Sequence, residues 1–422
     1  MSAPVKTSLR ARAFLLLAGT LAGLLILEFA ARVGYHERLF IWRLDPDLGW
    51  SFIPGSSGIF PTGSWWYDRE AETHFTINSK GLREREIDYA RAPSIRRVLV
   101  LGDSFTEALQ VEAEQAYPRQ MERLLNRSGK GRFEVINAGV SGYSPDVEYR
   151  YFVKEGYRYA PDIVLVGLMP ETDLREDSIE LYRRFQPGEW NRKPYFLLDG
   201  ERLVSVDRRG DPPAARRQAG LLQSLKSGLM GRSILYKFLV MHAHRSPPLV
   251  AAMRRLGVLN EEALELQYFI YLPDAGEPYE SAWRLAEAIL LRLQDEVSRR
   301  GAQLVVAIFP GKAQVQDEYG QALKRIYPEL VARGMDLDYP EKRLGAFLEQ
   351  HGIDWVPMRA VMIARHRAQG RPLYNRYDSH WNADGHVAAA EILAAHLLEP
   401  SVGTEPGGAR AGLSPRRREG GR

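Results

Sequence analysis

The run Val98-Leu-Val-Leu-Gly-Asp-Ser-Phe-Thr-Glu107 constrains the fold of this chain more than any other stretch. An apolar segment of that length reads as a strand buried on both faces. Gly102, Asp103 and Ser104 then fall at its carboxyl end, the edge at which open parallel sheets bind ligands. A serine there becomes a nucleophile only if the chain also supplies a base, a carboxylate to orient the base, and donors for an oxyanion.

The same rhythm recurs downstream. Phe133 to Asn137, Ile163 to Leu168, Gln303 to Phe309 and Ile353 to Val356 read as further buried strands. Between them, apolar residues recur at helical spacing: Tyr117, Met121, Leu124 and Leu125, then Trp283, Ala286, Leu290, Leu293 and Val297, and finally Ala389, Ile392, Leu393 and Leu397. Ser144-Pro145 reads as a cap and first-turn proline opening a helix that stops at Gly156. The expected core is a three-layer α/β domain over 96–399 with a five-stranded parallel sheet.

An insertion over 176–279 interrupts the alternation, with a polar segment from Asp207 to Arg217 and an amphipathic stretch from Leu221 to Leu239. It could form a lid or binding wall, lean on a membrane, or pack on the core, and packing is the default. Residues 34–95, rich in aromatics, glycines and turn pairs, read as a small β-rich appendage. Alternation from Thr73 followed by Asn78-Ser-Lys-Gly81 suggests a hairpin. The aromatics Trp65-Trp66-Tyr67 read as packing residues, with a sugar-binding surface as the alternative.

Residues 13–33 form the apolar amino-terminal segment, preceded by Lys6, Arg10 and Arg12 within a basic stretch, 1–12, expected in the cytoplasm. Its length is near the ~20 residues needed to span a bilayer. Basic residues before it favour a single-pass topology with the following chain on the extracytoplasmic, periplasmic side. No small-x-small site follows the apolar core, so an uncleaved anchor is preferred over a cleaved signal peptide. The net charge of +4 is too balanced for a polyanion-binding surface, and no nucleic-acid signature is present. The chain has no cysteine, which excludes disulfides and thiolate metal sites. The tail, 400–422, rich in Gly, Pro and Arg, is expected to be disordered.

Most of the nine histidines have plain readings. His36, His74, His242, His244, His351 and His366 lie in polar, basic or appendage contexts, and His396 suits the end of the last helix. His380 follows the last strand with Asp378 two residues before it, and in an extended segment positions i and i+2 face the same side. Asp378 could then accept from one imidazole nitrogen while the other faces Ser104. Asp384 and His386 share the spacing but open a helix, where such positions diverge, so a cap or supporting role is expected. Lys312 follows a strand and could hold an anionic or sugar substrate, although a solvated lysine is the preferred reading; no phosphate loop or metal-ligand cluster is found, and no cofactor is expected.

Three motifs in order resemble those of the SGNH/GDSL hydrolase superfamily. Gly102-Asp103-Ser104 looks like its first, Asn137-Ala138-Gly139 its second, and Asp378-Ser-His-Trp-Asn382 its last. The final element resembles that of the branch containing membrane-linked polysaccharide O-acetylation proteins, although there the Asp-x-His element can precede the serine. The resemblance covers Val98 to Leu398 without the insertion. It implies a flavodoxin-like sheet, Ser104, His380 and Asp378 as catalytic residues, and an oxyanion hole including the amides of Ser104 and Gly139. Where the superfamily places an asparagine after the third strand, this chain has Pro170-Glu171-Thr172-Asp173, so Thr172 is the expected third donor and Asp173 a substrate-binding candidate.

The expected function is a membrane-anchored serine esterase or O-acyltransferase acting on acetyl esters of cell-envelope or secreted glycans. The alternatives are a catalytically weak glycan-binding or assembly protein on the same fold, and a lipid-directed esterase. The expected partners are an acylated carbohydrate or other small ester, and a membrane through the amino-terminal helix.

Overall fold

A computed structural model describes residues 8–34, 41–64, 68–185, 193–207 and 266–399, with 233, 235 and 236. Most of the insertion's amphipathic stretch, the Trp65-Trp66-Tyr67 triplet, His36, His242, His244 and the tail lie outside the described residues.

The five expected strands form one parallel sheet. In chain order they are β5 (Ile95–Gly102), β6 (Arg132–Asn137), β7 (Ile163–Leu168), β10 (Gln303–Ile308) and β11 (Asp354–Pro357), arranged β11-β10-β7-β5-β6. Four antiparallel strands precede β5: β1 (Trp42–Asp45) pairs with β2 (Gly49–Phe52), and β3 (Ser57–Ser64) with β4 (Asp68–Thr76). Within the insertion β8 (Tyr195–Asp199) pairs with β9 (Arg202–Val206).

Because successive side chains of a strand point to opposite faces, the apolar runs build two cores at once. Leu99, Leu101, Val164, Val166, Val306 and Ile308 face one side, against the helices Pro145–Lys154 and Tyr279–Arg299. Val98, Val100, Ile163, Leu165, Val305 and Ala307 face the other, against Tyr117–Arg127 and Ala383–Leu398. Each Val, Leu or Ile among them contributes roughly 1.5–3 kcal/mol on removal from water. The three layers are therefore a direct product of strands apolar on both faces.

The appendage differs from expectation in one respect. Asn78 to Gly81 does turn, with Gly81 N donating to Asn78 O at 3.1 Å, but it leads out of β4 into irregular chain. The hairpin partner of β4 is β3, which precedes it. Appendage and core share the cluster containing Phe52, Phe75, Leu109 and Val140. Trp50 of β2 donates from Nε1 to Ser141 O at 2.8 Å, and the Tyr143 hydroxyl returns a bond to Trp50 O at 2.7 Å.

The amino-terminal helix Leu9–Gly34 contains a span, Phe14–Arg32, of mean hydropathy 2.2, long and apolar enough to cross a membrane by length and composition. Its one carboxylate, Glu28, pairs with Arg32 at 2.8 Å and accepts from Ser233 Oγ at 2.7 Å.

The turn after β5 is possible only because glycines surround Thr106. A Cβ on Gly139 would lie 2.5 Å from both Glu107 N and Thr106 Cβ, and one on Gly102 would lie 2.2 Å from Thr106 Oγ1. Gly139→Ala must therefore displace backbone, and a loss of about 1–3 kcal/mol is expected. Chemical denaturation of the variant beside the parent checks this; equal midpoints would contradict the packing.

Candidate functional site

Strand β5 ends at Gly102, and the chain turns at once into the short helix Ser104–Glu107, whose cap is Asp103: its Oδ1 accepts from Phe105 N at 2.9 Å. As the first residue of that helix, Ser104 has an amide without an intrahelical acceptor. Its hydroxyl points at the loop that follows the last strand and the helix Arg359–Gln369, where His380 Nε2 lies 2.7 Å away.

The other imidazole nitrogen, Nδ1, is hydrogen-bonded to Asp378 Oδ1, which also accepts from the His380 amide at 2.9 Å. Gln110 Nε2 approaches the second Asp378 oxygen at 3.5 Å. Ser104, His380 and Asp378 are thus brought into one hydrogen-bonded line, in the order the sequence predicts. With Nδ1 donating to the carboxylate, Nε2 is left as the acceptor for the serine proton.

The residues after His380 hold the ring. Trp381 is fully buried and packs on Phe309 (centroids 4.7 Å) and edge-on to Phe105 (5.0 Å), while Phe105 also lies 4.9 Å from the imidazole. Asn382 caps the last helix, its side chain accepting from Gly385 N at 3.0 Å. His386 has the supporting role expected of it: it is buried, stacked on Tyr117, and burial pushes its pKa down to about 3, so it stays neutral. His396 pairs with Asp354 at 2.9 Å.

Electrostatics around the relay are dominated by carboxyls. Burial disfavours the charged form of His380, but the hydrogen bond and charge of Asp378, with Asp103 and Glu107 behind it, outweigh this and raise its pKa above 6.5. Burial likewise works to raise Asp378, and the His380 contact overrides it, leaving the carboxyl below its usual value. Asp103 and Glu107 lack so strong a partner, and burial carries both up to about 7.

The remaining expected residues are placed differently. The Gly139 amide donates to Asn137 Oδ1 at 3.0 Å, so it closes its own turn. Thr172 has one hydroxyl hydrogen, and its oxygen is surrounded by acceptors: Met169 O at 3.1 Å, Asp173 Oδ1 at 3.3 Å and Asp103 Oδ2 at 3.4 Å. Asp173 is 1% exposed and its Oδ2 accepts from Met169 N at 2.8 Å, at the start of the helix Pro170–Asp177. Lys312 is half-buried and its Nζ donates to main chain, to Asn375 O at 2.6 Å and Arg376 O at 2.9 Å. No group of three or more potential metal ligands occurs among the described residues.

Two contributors escaped sequence reasoning. Glu107 accepts from Ser141 N at 2.7 Å and from its hydroxyl, tying the helix Ser104–Glu107 to the loop after β6. Glu70, on β4, accepts from the amides just before and at Asp378. Neither has a motif; both are acidic residues whose partners, backbone amides among them, are distant in sequence.

The pKa shifts make a test with a definite sign. Because its folded value lies above the unfolded one, protonated His380 stabilises the fold fully below the unfolded pKa near 6.5, and that contribution is lost as pH rises through the folded value. NMR titration of His380 should give a midpoint above 6.5 that falls in Asp378→Asn; an unchanged midpoint would refute the assignment of cause.

Comparison with known proteins adds family relationships. Residues 273–412 match the family model of the SGNH hydrolase-like domain of the acetyltransferase AlgX, a stretch that includes Asp378 and His380 but not Ser104. A protein of Pseudomonas aeruginosa named "Probable alginate O-acetylase AlgJ" is 27% identical over 128 residues, 30% of this chain and 28% of that one. Among solved structures, a catalytic mutant of Axe2, an acetylxylan esterase from Geobacillus stearothermophilus, matches 74% of this chain and 97% of its own at 12% identity and a TM-score of 0.36. The acetyl xylan esterase AlAXEase matches 72% and 100% at 12% identity and a TM-score of 0.36. Over 273–412 the chain is thus similar to an SGNH hydrolase-like domain, the stretch that carries Asp378 and His380.

Proposed function

We propose that the chain is a membrane-anchored, extracytoplasmic serine esterase or O-acyltransferase that moves acetyl groups on cell-envelope or secreted polysaccharide. The observation that carries this reading is the continuous hydrogen-bonded line from Ser104 through His380 to Asp378 at the carboxyl edge of the sheet. The acetyl group and polysaccharide follow from the AlgX-type match and the name of the AlgJ relative. The anchor follows from the apolar amino-terminal helix and the basic residues before it.

In this mechanism Ser104 Oγ attacks the ester carbonyl as its proton passes to His380 Nε2, and Asp378 stabilises the imidazolium that forms. The Ser104 amide faces the developing oxyanion. The Gly139 amide joins it when the Asn137 side chain releases it, and the Thr172 hydroxyl when it turns from its present acceptors. Collapse of the tetrahedral intermediate breaks the ester C–O bond, and His380 returns the proton to the departing alkoxide. Water or a sugar hydroxyl then attacks the acetyl-serine by the same steps, returning Ser104.

A catalytically weak glycan-binding protein is the second reading, and the present engagement of the Gly139 and Thr172 donors favours it. Each missing oxyanion donor costs about 100 to 1,000-fold in rate. The full chain in detergent, given a chromogenic acetyl ester, should release the chromophore and show an acetylated protein by mass; Ser104→Ala should lose both. Equal release by parent and Ser104→Ala, with no acetylated species, would sink the enzyme reading. Adding acetyl-free oligosaccharide acceptors separates transfer from hydrolysis.

A further inference from the structure

The segment that carries the acid has little apolar burial to hold it, because Arg376, Tyr377 and Ser379 are exposed. Its position is set by two charges from opposite parts of the chain. The Glu70 carboxylate, on β4 of the appendage, accepts from three successive amides: Arg376 at 2.7 Å, Tyr377, and Asp378 at 3.2 Å. The Lys312 ammonium, just after β10, takes the carbonyls of Asn375 and Arg376 at 2.6 and 2.9 Å.

These contacts fall on the same peptide groups. The Asn375 carbonyl and the Arg376 amide belong to one planar unit, and the Arg376 carbonyl and the Tyr377 amide to the next. Each unit therefore has its N–H end on a carboxylate and its C=O end on an ammonium, the arrangement in which a peptide dipole is held at both ends by opposite charge. The third amide on Glu70 is that of Asp378, whose own carboxylate takes both the His380 amide and Nδ1. The loop closes where Asn375 N donates to His380 O at 2.9 Å, and Lys312 is further fixed with Nζ 3.8 Å from the Tyr319 ring centroid. A chain of bonds runs from the appendage to the imidazole, with only the backbone of 375–378 between.

We infer that Glu70 and Lys312 are a paired electrostatic clamp that positions Asp378, and through it His380, so that the β-rich segment before the core is part of the acid–base apparatus. The clamp rests on the reading of Ser104, His380 and Asp378 as the relay. It makes Glu70 and Lys312 positioning residues that touch neither substrate nor reacting atoms.

The test uses the full chain in detergent, with Glu70→Gln, Glu70→Asp, Lys312→Met, the double variant Glu70→Gln/Lys312→Met, and Ser104→Ala. Hydrogen exchange of the 376–378 amides and the downfield proton resonance of His380 Nδ1 need no turnover; kcat and KM are read on a chromogenic acetyl ester. Glu70→Gln should speed exchange, weaken or shift the resonance, and lower kcat about 10–100-fold with KM within about twofold, as expected when reacting groups are misplaced rather than removed. Lys312→Met should act in the same direction, and the double variant should lose less than the product of the two singles. Glu70→Asp, which keeps the charge, should recover part of each loss. Parent-like exchange, resonance and kcat in Glu70→Gln and Lys312→Met, with Ser104→Ala inactive, overturn the clamp. Parent-like turnover in Ser104→Ala overturns the reading of the relay instead, and exchange and resonance then still decide the clamp.

Discussion

One hydrogen bond, 2.7 Å between Ser104 Oγ and His380 Nε2, joins residues 276 positions apart and depends on nearly every layer of the structure. The serine end is placed by a strand buried on both faces and by glycines that leave room for Thr106. The imidazole end has no strand of its own. It stands on an exposed loop, and its geometry is the sum of an aromatic floor of Phe105, Trp381 and Phe309 and a carboxylate held by backbone and charge. A free serine hydroxyl is a poor nucleophile, so the chemistry rests on how well two differently built supports hold these atoms together.

The division between what the sequence discloses and what it hides follows the same line. Val98 to Leu101, Ile163 to Leu168 and Gln303 to Phe309 are legible because burial on both faces demands continuous apolar residues, and their order and layers follow from that. Ser104 is legible as a hydroxyl at the carboxyl end of a buried strand, and Asp378 and His380 through their i, i+2 spacing in an extended segment. Lys312 and Asp173 are visible as residues, but their main-chain partners are not. A lysine after a strand looks the same whether it meets a substrate or the carbonyls of Asn375 and Arg376. An aspartate in a first helical turn looks the same whether it faces a cleft or caps Met169 N. Glu70 was not visible at all, since a carboxylate that binds main-chain amides leaves no signature on its partners.

The oxyanion donors show why motif and function are separable. Asn137-Ala138-Gly139 lies on the expected loop, yet its glycine amide is satisfied by the asparagine side chain within the motif. Thr172 stands at the expected helix start, yet its hydroxyl has three acceptors within 3.4 Å and a single hydrogen to give. A buried donor with a partner costs nothing in the resting fold, whereas an empty donor in a closed site carries a desolvation penalty of about 1–3 kcal/mol. Intramolecular pairing is thus the cheaper ground state, and a substrate carbonyl must compete with it.

That competition bears on the choice between water and a sugar as acceptor. A hole assembled only when substrate displaces Asn137 and turns Thr172 would favour substrates whose remaining contacts supply the energy of displacement, as binding energy away from the reacting centre does in general. Water brings no such contacts, and a polysaccharide brings many. In the proposed reaction the resting pairing of Gly139 and Thr172 would therefore weaken turnover of small esters more than that of glycans bound along the chain, while the contacts of Glu70 and Lys312 hold the loop that carries Asp378 and His380.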